Sequence, residues 1–167
     1  WDGGWYRRAI DDHGQPWGSS ANMECSIDSI AQSWAVMSEA GEPERARSAI
    51  EAAARELISE DDQLIRLLWP PFDATPRDPG YIKAYPPGIR ENGGQYTHAA
   101  VWLGIAFARQ GENDRAARVF ELLNPINHAL NRSDAGRYLV EPYVLAGDVA
   151  GVEPHTGRGG WSWYTGS

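Results

Sequence analysis

A chain of 167 residues can bury one substantial core, and its 15 Lys and Arg against 23 Asp and Glu give a formal charge of −8. The basic residues are scattered and the pI is near 4.9, which argues against nucleic acid as a partner. A lone cysteine, Cys25, excludes an internal disulfide, fits a reducing compartment and leaves no Cys/His spacing for a zinc site. No apolar run reaches membrane-spanning length, and the N-terminus lacks the basic and apolar regions of a signal peptide. Starting at Trp1 and stopping at Ser167, the sequence reads as a piece of a longer polypeptide.

The opening WDGGWYRRAIDDHGQPWGS reads as a loop or small hairpin turned at DDHG. From Glu24 to Ala40, Ile27, Ile30, Ala31 and Trp34 follow the i, i+3, i+4, i+7 spacing of a helix, and Gly41 supplies a stop. After GEPE, with Pro43 in a first-turn position, Ala46, Ala49, Ile50 and Ala53 form a stripe while Arg45, Glu51, Arg55 and Glu56 take other faces. Residues 60–94 carry six prolines, and so long a connection inside a domain usually serves function. Positions 99–108 are apolar nearly all round, as expected of a helix buried on every side. GEND then leads into RAARVFELL, whose stripe is Ala116, Val119, Phe120 and Leu123.

GEPERARSAIEAA and GENDRAARVFELL thus repeat one pattern, an inner helix followed by a short turn and an amphipathic outer helix. A third inner helix is expected from Glu141, with Pro142 in the first turn of EPYVLAGDVA. The reading is an all-α fold of alternating inner and outer helices, with the long return loops crowded at one end. That end is where the inner helices begin, so their free N–H groups and positive partial charge face whatever the loops enclose.

The segment RENGGQYTHAA, residues 90–100, concentrates chargeable groups at the mouth of the second inner helix. Gly93 and Gly94 let a backbone approach a ligand closely, or simply make a tight turn. His98, in the first helical turn beside Arg90, Glu91 and Thr97, can point at a bound anion or pack structurally. In GRGGWSWYTGS, residues 157–167, backbone N–H groups around Thr165 and Gly166 can complete an anion site, or the segment is a packed tail. Eight tryptophans and seven tyrosines suit both cores and sugar-binding clefts. Loop-end carboxylates are Asp2, Asp11, Asp12, Glu24, Asp28, Glu91 and Glu141. Inverting glycoside chemistry needs an acid on the leaving oxygen and a nucleophile on the opposite face, and a phosphate nucleophile needs an anion site in place of a second carboxylate.

The motifs WDGGWYRRAIDDHG, ECSIDSIAQSWAVMSEAG, DPGYIKAYPPGIRENGGQYTHAAVW, LNPINHA, YLVEPYVLAGDV and HTGRGGWSWYTGS together resemble the C-terminal part of the catalytic region in glycoside hydrolase family 94, most of all its cyclic β-1,2-glucan synthase branch. The resemblance implies a partial (α/α)6 toroid and inverting phosphorolysis, in which inorganic phosphate attacks a β-glucan and releases α-glucose 1-phosphate. It assigns phosphate binding to His98, Thr165 and Gly166, and sugar binding to Glu91, Arg90 and Tyr85. No cofactor and no metal is implied; the partners are a β-glucan oligosaccharide, phosphate, the rest of the parent polypeptide and, as a further possibility, a second copy of the chain. The setting is the cytoplasm or the cytoplasmic face of a bacterial inner membrane. The family's general acid lies in a DWND motif that does not occur here, so the isolated chain is expected to be inactive. Two other readings stay open: an inverting hydrolase on the same toroid, and a helical-repeat binding module with no chemistry.

Overall fold

Asp28 starts the first helix. In the extended conformation, it accepts hydrogen bonds from the Ile30 and Ala31 N–H groups at 2.9 and 3.3 Å, and α1 (Ser29–Met37) follows. Glu42 caps α2 (Pro43–Leu57) in the same way through the Glu44 and Arg45 amides, with Pro43 fixing the first turn. The computed structural model describes residues 1–162, so the anion-binding positions expected at Thr165 and Gly166 lie outside the described residues. Two further long helices, α3 (Thr97–Arg109) and α4 (Asn113–Leu123), form the second hairpin, turned at Gly111 with φ +80°. None of the described helices is long and apolar enough to cross a membrane.

The two hairpins pack through their first helices, α1 against α3, while α2 covers α1 and α4 covers α3. One core joins them: Val36, Ile50, Leu57, Leu103, Phe107 and Val119 are all buried, each large side chain worth about 1.5–3 kcal/mol of transfer free energy. A second cluster of Trp17, Cys25, Leu67, Leu68, Phe72 and Ile82 lies under the loops. Burial there pushes the Cys25 thiol up to about 12, so it is an inert packing group.

The strands among the described residues are two residues long each, and they serve as clasps. The expected N-terminal hairpin is present: β1 (Ala9–Ile10) pairs antiparallel with β2 (Pro16–Trp17), closed by Asp11 accepting from the His13 and Gln15 amides. β3 (Ile27–Asp28) leads into α1 and pairs with β6 (Leu68–Trp69); β4 (Ile58–Ser59) pairs with β5 (Leu64–Ile65). β7 (Gln95–Tyr96) leads into α3 and pairs with β8 (Asp148–Val149), which pairs in turn with β9 (Gly159–Gly160). Between these clasps, the Leu67 carbonyl accepts from Ser29 N–H and its own N–H donates to the Gly94 carbonyl, both at 2.8 Å. The starts of α1 and α3 therefore sit at one end of the molecule, under the long loops.

Two expectations need correction. No helix begins at Glu141: the chain makes a turn there, Val144 N–H to Glu141 carbonyl, and then runs into β8. Thr97 draws it out by donating its N–H to the Gly147 carbonyl at 3.0 Å and its hydroxyl to the Ala146 carbonyl at 2.6 Å, and a helix there would need those carbonyls internally. The fifth helix is instead α5 (Arg132–Tyr138), capped by Asn131 accepting from Asp134 N–H. Nor is α3 buried on every side. Ala99, Ala100, Leu103, Ala106 and Phe107 are buried, but Ile105 is 40% exposed and, on the neighbouring α1, Trp34 is 42% exposed. None of the described residues covers that flank.

Asp28 also forms an ion pair with Arg8, in which the carboxylate is buried and the guanidinium mostly so. Replacing Asp28 with alanine removes the cap of α1 and leaves a mostly buried guanidinium without its partner. The expected loss is about 3–5 kcal/mol in denaturant unfolding, with Asp28→Asn losing less because its carbonyl still caps the helix.

Candidate substrate site

The loop preceding β7 is held by its own backbone. Gly88 N–H donates to the Asn92 carbonyl at 2.7 Å, Asn92 N–H to the Ile89 carbonyl at 3.0 Å, and Gly94 N–H to the Arg90 carbonyl at 3.1 Å. This reversal puts Arg90 in the left-handed region at φ +50°. Asn92 is fully buried and fastens the loop to its surroundings: its Oδ1 accepts from Phe72 N–H at 2.7 Å, and its Nδ2 donates to the carbonyls of Phe72 and Tyr85 at 2.9 and 2.8 Å. The glycines face the protein itself. A Cβ at Gly93 would lie 2.7 Å from the Pro71 Cβ, and one at Gly94 would lie 2.8 Å from the Arg90 and Gly88 carbonyl oxygens. Of the two readings of the Gly-Gly pair, the tight turn is the one realised.

Tyr85 and Arg90 meet. The Arg90 guanidinium lies 5.3 Å from the Tyr85 ring centroid, donates to its hydroxyl at 3.1 Å, and lies 4.2 Å from the Trp161 ring centroid. That hydrogen bond, with the charges of Tyr85, Asp148 and Glu91, pushes the Arg90 pKa above its usual value. The next residue, Glu91, buries its Oε2 with no hydrogen-bond partner among the described residues. His98 stands one residue into α3, half-buried, its ring 4.6 Å from Trp102; it shares no hydrogen bond with Tyr85, Arg90 or Glu91 among the described residues. Trp102 in turn meets Trp34 of α1 edge-on at 5.4 Å. The backbone and hydroxyl bonds of Thr97 to the 146 and 147 carbonyls fix where α3 starts, and with it the place of His98.

Most loop-end carboxylates are committed to the fold. Asp2 accepts from Arg7, Ser19 and Ser20, and although burial works against it these bonds hold its carboxyl at about 2. Glu24 takes the backbone amides of Asp73, Ala74 and Thr75, which lower its pKa against the pull of burial and tie down the long loop. Asp11 closes the first hairpin and binds Arg77 at 3.0 Å, Asp28 caps α1, and Asp12 and Glu141 are exposed on turns. Among the described residues, Glu91 is the one of the seven that keeps a buried oxygen without a partner.

Sequence reasoning missed three contributors. Asp148 is a buried acid whose Oδ1 also has no partner among the described residues, and burial pushes its carboxyl pKa upward against the nearby Arg90 charge. Its signal was a single carboxylate inside the otherwise apolar VLAGDVAG. Asn92 had no signal beyond being polar beside glycines, and Trp161 was one ring among several in a glycine-rich segment. No three His, Cys, Asp or Glu side chains converge as a metal site among the described residues.

Residues 1–167 match the family model described as "Glycosyl hydrolase 94 superfamily, catalytic domain". Among curated relatives, the cyclic beta-(1,2)-glucan synthase NdvB of Rhizobium meliloti (strain 1021) is 54% identical over 167 residues, covering 100% of this chain and 6% of that protein. The solabiose phosphorylase of Paenibacillus borealis is 34% identical over 168 residues, covering 100% of this chain and 21% of that protein. The N,N'-diacetylchitobiose phosphorylase of Vibrio proteolyticus is 28% identical over 170 residues, again with 100% and 21% coverage. The chain therefore spans about a fifth or less of the length of these relatives.

Asn92 is the residue on which the loop geometry turns. Its replacement by alanine strands one amide and two carbonyls in a buried setting, with an expected loss of about 2–4 kcal/mol in thermal or denaturant unfolding. A change below about 0.5 kcal/mol would show that the loop holds its shape without these bonds.

Proposed function

We infer, from the membership of this chain in the glycosyl hydrolase 94 superfamily as part of its catalytic domain, that it forms the phosphate- and glucan-receiving part of an inverting β-glucan phosphorylase site. The substrate is a β-1,2-linked glucan, as the name of the Rhizobium meliloti relative suggests, and the products are α-glucose 1-phosphate and a shortened glucan. The domain is an (α/α)6 toroid to which this chain contributes α1 and α3 as inner helices and α2 and α4 as outer ones. The apolar flank at Trp34 and Ile105 is the edge along which the rest of the ring closes.

One observation carries the reading. Beside the Arg90 and Tyr85 pair, Glu91 buries a carboxylate oxygen that no described residue uses. A buried acceptor without a partner costs about 1–3 kcal/mol, and a sugar hydroxyl would supply what it lacks. A solenoid repeat that only binds protein has no call for such a group under its long loops.

In this mechanism phosphate attacks the anomeric carbon from the face opposite the leaving sugar, the C1–O bond breaks, and inversion follows from that single displacement. His98 at the start of α3 holds the phosphate together with the helix N-terminus, and Thr165 and Gly166 complete its seat. Support for His98 comes from its place in the first turn of α3, where free backbone N–H groups favour an anion. Glu91 orients the sugar at the cleavage point, and Tyr85 with Arg90 lines the adjoining subsite. The proton for the leaving oxygen comes from a group outside this chain.

In the full-length protein, His98→Ala is expected to raise the apparent KM for phosphate about ten-fold or more while Tm stays within a few degrees. A large fall in Tm with phosphate KM unchanged would make His98 a packing residue. Product release that is independent of phosphate would identify water as the nucleophile. The isolated 167 residues are expected to yield no glucose 1-phosphate from β-1,2-glucan in a coupled enzymatic assay, and its appearance would show that the proton donor lies within this chain after all.

A further inference from the structure

The sheet β7–β8–β9 holds a second acid that the fold leaves partly unused. Asp148 is 6% exposed and its Oδ1 has no hydrogen-bond partner among the described residues. Its strand neighbours are Tyr96 on one side and Gly160 on the other. Glycine leaves room beside the carboxylate, since a Cβ at position 160 would lie 3.0 Å from Oδ1. The side chain lines a cavity of about 300 Å³, whose other walls include Arg90, His155, Arg158 and Trp161. That volume is at the low end for small-molecule sites and suits a single sugar ring better than an extended chain. The terminal torsion of an aspartate is broad, so either oxygen can be turned toward the cavity.

The surroundings select among ligands. The wall sets one buried carboxylate, Asp148, against the guanidiniums of Arg90 and Arg158, so it offers a strong acceptor and strong donors in one small space. A ring rich in hydroxyls answers both kinds of group: it donates to Asp148 and accepts from Arg158. Trp161 is 60% exposed, with Arg90 lying over its ring, and it offers the flat amphipathic surface on which a pyranose rests.

We propose that Asp148 is a substrate-binding residue that accepts a hydroxyl hydrogen bond from a neutral glucose unit seated in the cavity between Arg90, Arg158 and Trp161, next to the ring oriented by Glu91. The proposal rests on the reading of the chain as part of a β-glucan-active site. It adds an acid that reads the sugar without touching phosphate.

The test uses the full-length protein and a β-1,2-linked glucose oligosaccharide, with affinity measured by calorimetry and KM measured for sugar and phosphate separately. Asp148→Ala is expected to weaken oligosaccharide binding about ten-fold, with the phosphate KM within about two-fold of the parent. Asp148→Asn keeps the shape and is expected to lose less, in the same direction, because an amide replaces a charge-assisted acceptor. Trp161→Ala, at an exposed position, is expected to weaken the sugar and spare phosphate as well. Unchanged oligosaccharide affinity in Asp148→Asn and Asp148→Ala overturns the proposal, as does a parallel fall of sugar affinity, phosphate affinity and Tm, which marks a structural acid. Should Asp148→Ala fail to fold, Asp148→Asn and Trp161→Ala decide: unchanged sugar affinity in both overturns it. A parent enzyme that needs no phosphate would refute phosphorolysis alone, since oligosaccharide binding still reports on Asp148.

Discussion

The backbone of Leu67 is the constraint from which the rest of the arrangement follows. Its carbonyl takes the first amide of α1 and its amide meets the Gly94 carbonyl just before β7 and α3, so one peptide segment sets the relative height of both first helices. The flanking residues extend the lacing. Ile65 N–H donates to the Gln95 side chain at 2.9 Å, and the Arg66 guanidinium reaches the Gly151 carbonyl at 3.2 Å while binding Asp62 at 2.7 Å. Helix termini carry unsatisfied amides, and here Leu67, between β5 and β6, satisfies the first of α1 while its own amide ties down the approach to α3. Without that link, hydrophobic contact between α1 and α3 would tolerate sliding along the axis, because apolar packing has little directional content.

Alignment at that end gives the loops a floor, and polar side chains tie them to it. Glu24 gathers three consecutive amides of the long connection, Asn92 joins Phe72 to Tyr85, and Thr97 binds two carbonyls of the segment before β8. These residues do for irregular backbone what i to i−4 bonds do for a helix, which is why so long a connection can be ordered without long strands of its own. Against that background an acid with a spare buried oxygen stands out. Asp2, Asp11, Glu24 and Asp28 have their oxygens filled by the protein, whereas Glu91 and Asp148 each keep one buried oxygen without a partner among the described residues, and both of these lie beside Arg90.

How much of this was legible depended on whether the governing interaction was local. Four helices could be read from apolar spacing and turn residues, since Ala46, Ala49, Ile50 and Ala53 or Val119 and Leu123 betray their face within one element. EPYVLAGDVA read as a helix start because Pro142 is permitted there, but the decision lay with Thr97, some fifty positions away, which claims carbonyls that a helix would have kept. The α5 cap at Asn131 was a short local signal that a longer apolar pattern overshadowed. In the site, the cluster at Tyr85, Arg90 and Glu91 was visible because its members are near neighbours in sequence. Asp148 was not, because its partners arrive through strand pairing.

Strand pairing also explains why small residues surround that acid. Gly147 takes the Trp161 carbonyl with its amide, Gly159 and Gly160 pair with Val149 and Asp148, and a Cβ at Gly147 would lie 2.9 Å from the same Trp161 carbonyl oxygen. Larger residues would push β9 away from β8 and carry Trp161 off the Arg90 guanidinium. Close backbone approach therefore sets the spacing between an aromatic ring, a guanidinium and a carboxylate that come from three separate stretches of chain. A glycine-rich segment of this kind need not bind anything through its own amides to matter; its contribution here is to let charged and aromatic side chains from elsewhere stand close enough to share one ligand.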